Sequence, residues 1–324
     1  MKRIPLPTVP NGWYKAIDSD ALGVGEVEPL SILERELAVY RGQDGRARVV
    51  DAYCAHLGAH LGHGGTVSKN ALVCPFHEWR WDGDDGRCLA IPYADRIPAR
   101  ARIRAYPTCE RNGYVAFWFH AEGAAPSFDF DRIPETADPG YRLYKRAHWE
   151  LDSHVQEIYE NVVDVAHFRS LHKMDVKQIA WQPVGSPDAP TVRLWVDLRR
   201  DNSSQAAEGG ETKIESFMYG PGLQVTRLSG RMRGVSVNSL TPLRAERVRV
   251  EHAYYVERSD AASEKEVEAF WEYYMQDHYL DFRIWNHKRF LERPVLAEGD
   301  GDVAMFRRWF SQFYSEPTSS GGDA

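Results

Sequence analysis

The stretch that decides the fold is CAHLGAHLGHGGTVSKNALVCPFH, residues 54–77. It opens with a thiol and an imidazole two positions apart, Cys54 and His56. After seventeen residues a second pair follows, Cys74 and His77. Thiolates are soft ligands suited to iron in clusters, and neutral imidazoles bring no negative charge. Two of each fit a [2Fe-2S] cluster with Cys54 and Cys74 on one iron and His56 and His77 on the other. Such a mixed cluster is reduced more easily than an all-thiolate one. Gly58, Gly62, Gly64, Gly65 and Pro75 supply turn chemistry for two tight loops at hairpin ends. A Cys2His2 zinc site is the alternative. Zinc fingers separate their Cys pair from their His pair, whereas the order here is Cys, His, Cys, His. His60 and His63 do not fit the spacing and read as surface or supporting groups. Cys88 and Cys109 read as small buried apolar residues. Gly62-His63-Gly64-Gly65 lacks the Lys-Ser/Thr ending and the following helix of a phosphate loop.

Around this stretch, residues 13–119 read as mostly strand. Leu30 to Tyr40 and Arg48 to Tyr53 are β-rich runs flanking the turn signal Gln43-Asp44-Gly45. Val115-Ala116-Phe117-Trp118-Phe119 reads as a buried strand. His120 to Gly140, rich in Pro, Ala, Asp and Gly, reads as a boundary. We therefore expect a first domain over 1–125 with its core at 13–119, a second over 126–316, and a disordered tail at 317–324. In the second domain, Tyr141 to Glu150 reads as a strand. His154 to His172 reads as a helix entered from Asp152 or Ser153. Ile214 to Tyr219, Gly234 to Leu240 and Val248 to Val256 are further β runs, and Asp201 to Glu211 is a polar loop. Glu264 to Lys288 is the strongest helical segment.

Asp164-Val165-Ala166-His167, with His172 five residues on, carries the second cluster of donors. On a regular helix that spacing turns the two histidines about 140° apart. To share a metal, the helix must end, bulge or loosen between them. Asn161, Asp164 and His167 fall on one stripe among Val162, Val163, Val165, Ala166 and Phe168. A buried carboxylate there needs a partner, and orienting a metal-bound histidine is the usual one. A satisfied core histidine pair is the plainer reading. A ferrous site built from two histidines and one carboxylate leaves positions open for dioxygen and substrate. The carboxylate can come from the last long helix, whose apolar face runs Val267, Phe270, Trp271, Tyr274, His278 and Trp285. Asp281 lies near the middle of that face and Asp277 beside it, so position favours Asp281.

The 324 residues give room for two cores. A net charge of -7 argues against a nucleic-acid partner. No apolar run is long enough to span a bilayer, and residues 1–7 lack a secretory apolar region. Four cysteines, two of them in metal-type pairs, suggest a reducing, cytoplasmic compartment.

On these residues the sequence resembles the oxygenase (alpha) component of the Rieske non-haem iron oxygenases, over nearly its whole length. The resemblance rests on Gly12-Trp13-Tyr14, on Cys54, His56, Cys74 and His77, and on Asn161-Val162-Val163-Asp164 leading into His167 and His172. Cys74-Pro75-Phe76-His77-Glu78-Trp79-Arg80-Trp81, Gly86-Arg87-Cys88, Ile91-Pro92-Tyr93, Asp281-Phe282-Arg283-Ile284-Trp285 and residues 308–314 look like the 3-ketosteroid 9α-hydroxylase and cholesterol 7-desaturase branch. The resemblance implies an α+β chain: an N-terminal all-β Rieske [2Fe-2S] domain, then a helix-grip catalytic domain with an antiparallel sheet around a long helix. It implies a mononuclear non-haem Fe(II) held by His167, His172 and Asp281, with Asn161 and Asp164 as catalytic residues. It also implies a head-to-tail homotrimer in which Asp164 bridges an iron histidine and a cluster histidine of the next copy, His77 before His56.

A separate NAD(P)H-dependent reductase, with or without a ferredoxin, would supply electrons, since no Gly-x-Gly-x-x-Gly unit is present. Dioxygen would be the cosubstrate, and an apolar, steroid-like molecule the substrate of C–H hydroxylation. Desaturation, dealkylation or N-oxidation by the same machinery is the first alternative, and an electron-transfer protein with only the cluster is the second. Val163, Phe168, Phe217, Tyr219 and Phe282 are expected to line the pocket. Arg96, Arg100, Arg102 and Arg104 form a basic run, either a dock for an acidic donor or a solvated strand edge.

Overall fold

The computed structural model describes residues 2–173, 176–184, 193–201, 211–229, 233–258 and 263–315. Backbone contacts divide the chain into two compact units. One is Gly12–Arg132. The other runs from Ile133 onward and takes in the residues up to Asn11. The sequence places the boundary at 125/126 and leaves the first residues with the first domain. Instead Asn11 N donates to the Phe313 carbonyl at 2.6 Å, and His154 Nε2 lies 3.0 Å from the Pro7 carbonyl.

The first unit is built of short antiparallel strands: β1 Gly12–Asp18, β2 Val27–Ile32, β3 Arg35–Arg41, β4 Ala47–Asp51, β5 Thr66–Ser68, β6 Ala71–Val73, β7 Arg80–Asp82, β8 Cys88–Ala90, β9 Ala105–Tyr106, β10 Thr108–Arg111 and β11 Tyr114–Phe119. They form three sheets, β1-β11-β10, β2-β3-β4-β9 and β5-β6-β7-β8. The run Leu30 to Tyr40 is not one strand. Leu33 and Glu34, both at φ 56°, turn it into a β2–β3 hairpin. Neither is Gly or Asn, so the turn has no sequence signature. Burial of the Leu33 side chain helps offset the cost of that conformation.

The second unit holds one seven-stranded antiparallel sheet of order β12-β18-β17-β16-β15-β14-β13. Its strands are β12 Tyr141–Leu151, β13 Val176–Val184, β14 Arg193–Asp201, β15 Glu211–Tyr219, β16 Leu223–Ser229, β17 Gly234–Arg244 and β18 Arg247–Glu257. Along β18 the period of two holds from Val248 to Tyr254: Val248, Val250, His252 and Tyr254 are buried, while Arg249, Glu251 and Ala253 are half-exposed. The buried row meets the helix α3, Glu264–Trp285, through contacts such as Tyr254 on Trp271, ring centroids 5.0 Å apart.

Three shorter helices complete the unit, α1 Val155–Glu160, α2 Val165–Ser170 and α4 Val303–Phe310. The single helix expected over 154–172 is thus two helices of six residues. Its N-cap is neither Asp152 nor Ser153 but His154, whose Nδ1 accepts from Gln156 N at 3.1 Å. Asp164 breaks the run by capping α2, its Oδ1 accepting from His167 N at 3.3 Å. The tail at 317–324 and the polar loop over 202–210 lie outside the described residues. No described helix is long and apolar enough to cross a membrane.

Candidate metal centres

In the first unit each candidate cysteine opens a loop closed by its own backbone. Cys54 N donates to Ala59 O and Gly58 N to Cys54 O, both at 2.9 Å. Cys74 N donates to Trp79 O at 2.9 Å and Glu78 N to Cys74 O at 3.1 Å. Gly65 is obligatory beside them, since a Cβ there would fall 2.0 Å from the Leu61 carbonyl oxygen. The two thiols are buried and adjacent. Burial, with Cys74 beside it, pushes the Cys54 thiol up to about 11. Such thiols ionise readily only against a bound cation. The rings of His56 and His77 stand 4.7 Å apart, and His56 stacks on Trp79 at 4.5 Å. His77 Nδ1 is buried and has no hydrogen-bond partner among the described residues. Two soft donors and two imidazoles, one with an orphaned nitrogen, fit a [2Fe-2S] group.

The neighbouring residues have other tasks. His60 Nδ1 accepts from Gly62 N at 3.1 Å, and its Nε2 lies 3.8 Å from Glu36 Oε2, so it braces the loop. Cys88 is buried with Cys54 and Cys74 in one apolar core, and Cys109 is half-buried on β10. Half of the basic run is tied down: Arg102 donates to the Asp85 carbonyl, and Arg104 to that of His120. Arg96 and Arg100 are exposed.

In the second unit, His167, His172 and Asp281 offer ligand atoms that all lie within 4.8 Å of one another, and all three side chains are buried. The helix does end between the histidines. α2 stops at Ser170, and His172 follows one residue beyond the C-cap Leu171. His167 Nδ1 lies 2.5 Å from the Asp164 main-chain oxygen, which fixes the tautomer and leaves Nε2 as the candidate ligand atom. His172 is flanked by two carboxylates, Asp281 Oδ1 at 3.2 Å from Nε2 and Asp277 Oδ1 at 3.6 Å from Nδ1. The two aspartates that position alone left in competition therefore face different nitrogens of one ring. Asn161 Nδ2 lies 3.1 Å from His167 Nε2 and donates to Asp281 Oδ1 at 3.2 Å. Here a donor sits between lone pairs that converge as they would on a cation.

Burial lowers the pKa of His167 despite the nearby carboxylates of Asp281 and Asp164. Burial acts the same way on His172, but Asp277 and Asp281 outweigh it and raise the pKa to about 9. Two imidazoles and a carboxylate converging in a buried site fit a ferrous ion. Asp164 acts here through its backbone oxygen. Its carboxylate caps α2, approaches His167 Nδ1 no closer than 3.9 Å and stays 40% exposed. Gly301 packs behind this turn, where a Cβ would fall 1.5 Å from the Val163 carbonyl oxygen.

A cavity of about 150 Å³ opens beside the three donors. Of the expected lining, Phe168 and Phe282 are in its wall, whereas Val163, Phe217 and Tyr219 are not. Strand parity explains the error: Ile214 and Ser216 face the cavity, so Phe217 and Tyr219 face the other side of β15, stacked on each other. Sequence reading missed Gln224, Thr226, Leu240, Val250 and His252 in the wall. His252 had a readable signal, a polar residue in the apolar phase of its strand.

Residues 117–314 match the family described as 3-ketosteroid 9α-hydroxylase C-terminal domain, and residues 12–107 match the Rieske [2Fe-2S] domain. The chain is 35% identical to the cholesterol 7-desaturase of Bombyx mori, over 98% of its own length and 72% of the relative's. It is 31% identical to a probable 3-ketosteroid-9-alpha-monooxygenase oxygenase component of Rhodococcus rhodochrous, over 90% and 76%. A crystal structure of dicamba monooxygenase with non-haem iron and dicamba shares the fold at TM-score 0.68 and 17% identity, covering 95% of this chain and 98% of that one. A [2Fe-2S] domain ahead of a buried His-His-Asp site, on a sheet gripping one long helix, leads to one conclusion: the chain belongs to the Rieske non-haem iron oxygenases, as an oxygenase component of the branch that holds the 3-ketosteroid 9α-hydroxylases and cholesterol 7-desaturases.

Proposed function

We propose that this oxygenase hydroxylates a C–H bond of an apolar, steroid-like molecule. The observation that carries the reading is the cavity, walled by Ile158, Val162, Phe168, Ile214, Leu240 and Phe282 and ending on the convergent donors. Apolar walls with a few placed polar groups are the usual character of a small-molecule site. At about 150 Å³ the cavity is smaller than the roughly 300–1,000 Å³ of ordinary ligand pockets, so one end of a larger molecule enters it.

In this reading Cys54, His56, Cys74 and His77 hold the [2Fe-2S] cluster, and His167, His172 and Asp281 hold the ferrous ion. When bound, these groups supply single electrons and activation of dioxygen. The chain's own residues do the rest. Asp164 O holds the proton on His167 Nδ1, and the Asp277 carboxylate faces the far nitrogen of His172 at ion-pair distance. Asn161 fixes the Asp281 carboxylate. Phe168 and Phe282 keep water from the reacting carbon. The exposed Asp164 carboxylate meets His77 of the next copy in a head-to-tail trimer, and a separate reductase delivers the electrons.

A second reading, removal of two hydrogens to leave a double bond, is favoured by the 35% identity to a desaturase. Product mass decides between them. Incubation of the metal-loaded enzyme with a reductase system and a sterol panel should yield a product heavier by one oxygen atom. A product lighter by two hydrogens replaces hydroxylation with desaturation, and no conversion of any steroid removes the substrate class.

A further inference from the structure

The inner face of the sheet carries polar groups that the metal chemistry does not use. Register aligns Ser216, Thr226 and Ser236 in one row, and Gln224, Asn238 and His252 in the next. Ser216 Oγ and Thr226 Oγ1 lie 3.1 Å apart, and Ser236 Oγ donates to Asn238 Oδ1. The Tyr274 hydroxyl, from α3, reaches Ser236, Thr226 and Asn238. Ser216, Thr226, Ser236, Asn238 and Tyr274 satisfy one another. Two histidines beside them do not.

His278 Nδ1 lies 2.8 Å from the Tyr274 carbonyl oxygen. A carbonyl only accepts, so Nδ1 carries the hydrogen and Nε2 is left as a bare acceptor in the cavity wall. His252 is 3% exposed, its ring 4.9 Å from that of His278, and its Nδ1 has no partner among the described residues. Leaving a buried polar atom unpaired costs about 1–3 kcal/mol. Nδ1 of His252 is closed off, so a ligand can complete only the bonding of ring nitrogens that face the cavity, which both residues line together with the metal donors.

We propose that His252 and His278 form a recognition subsite for a hydroxyl group on the substrate. The alcohol O–H donates to His278 Nε2, and its oxygen accepts from the ring N–H of His252. A ketone satisfies only His252, because it has no hydrogen for His278. A hydrocarbon satisfies neither, and a carboxylate sets its charge against a lone pair. The inference deepens the apolar-substrate reading and rests on it for the scaffold that carries the hydroxyl.

The test is equilibrium binding to the metal-loaded, anaerobic, unreduced enzyme, read by quenching of tryptophan emission, since Trp285 lines the cavity. The probes are 5α-androstan-3β-ol, 5α-androstan-3-one and 5α-androstane, with 4-cyclohexylcyclohexanol and its ketone as a non-steroid pair. The alcohols should bind at least about tenfold tighter than the matched ketones. His278→Phe should bring that ratio to about one, with both metals retained. Equal affinity for alcohol and ketone in the unaltered enzyme overturns the subsite, whatever the variant does, and leaves the steroid reading in place. Failure of all three steroids, with the bicyclic alcohol still ahead of its ketone, upholds the subsite and removes the steroid. A ratio that persists in both His278→Phe and His252→Phe also overturns the subsite.

Discussion

The two candidate metal sites are assembled in opposite ways. All four cluster donors sit in two neighbouring loops, each closed by backbone hydrogen bonds of its own. The three candidate iron donors come from a helix, a residue two positions past its end and a distant helix, with His172 and Asp281 109 positions apart. The first site is a local arrangement that short β-hairpins present. The second exists only when the large sheet holds α3 against the α1–α2 turn. Local sites are specified by spacing, and distributed ones by packing.

The sharpest way to break the comparison is to remove one donor from each side. Asp281→Ala is expected to abolish iron binding while the visible absorbance of the cluster stays unchanged. Cys74→Ser is expected to do the reverse, bleaching the protein while iron remains. Metal analysis with absorbance reads both. Iron retained in Asp281→Ala but lost in Asp277→Ala would exchange the roles of the two aspartates.

Asp164→Ala is next in size. Turnover should vanish while both metals stay bound, because the carboxylate is the proposed link between copies. The main-chain oxygen that orients His167 is untouched by the change. Loss of the α2 cap should cost about 1 kcal/mol, too little to unfold the unit. Undiminished turnover would remove Asp164 from electron transfer.

These contrasts also show what the sequence could and could not tell. Cys-x-His and Cys-x-x-His spacing was legible because ligand geometry is written in adjacent residues. For His167 and His172 to share a metal the helix had to end, bulge or loosen between them, and it ends. The place of Asp281 beside the two histidines was legible as a charge on an apolar helix face. The break at Asn161–Asp164 was not read, since Asn161, Asp164 and His167 share a helical stripe, although Asp164 as the cap of α2 is a local signal for it. Nor was the β2–β3 hairpin, whose turn is Leu33-Glu34 rather than a glycine pair. The Phe217 and Tyr219 error has a different cause. Both residues are apolar enough for a pocket, and only the strand's phase, fixed by Ser216 facing inward, shows which side they take.

Smaller perturbations test the scaffold of the distributed site. Glu160, the last residue of α1, is buried, with Arg307 Nε at 2.6 Å and Lys288 Nζ at 3.5 Å. Arg307→Met leaves that carboxylate short of charge and should destabilise the second unit by about 3 kcal/mol, measured by chemical denaturation. The cluster absorbance of the folded variant should be unaffected. Asp277→Asn should weaken iron binding by about 10–100-fold, the usual effect of losing a group that orients a ligand. Chelator competition measures it.

The smallest effect is expected at the far end of α3. Ser263 caps this helix in a reciprocal box with Glu266, the Ser263 Oγ accepting from Glu266 N at 3.3 Å and Glu266 Oε2 accepting from Ser263 N at 2.8 Å. Ser263→Ala should cost about 1 kcal/mol in global stability. Iron affinity should not move, because Asp281 lies at the other end of the helix. There Asn161 holds its carboxylate, and the adjacent Phe282 packs on Trp149 at 5.3 Å. Fraying of the first turn is therefore absorbed before it reaches the donors. A fall in iron affinity with Ser263→Ala would mean that α3 transmits its N-terminal stability along its whole length, and the iron site would then depend on the entire helix rather than on its last turns.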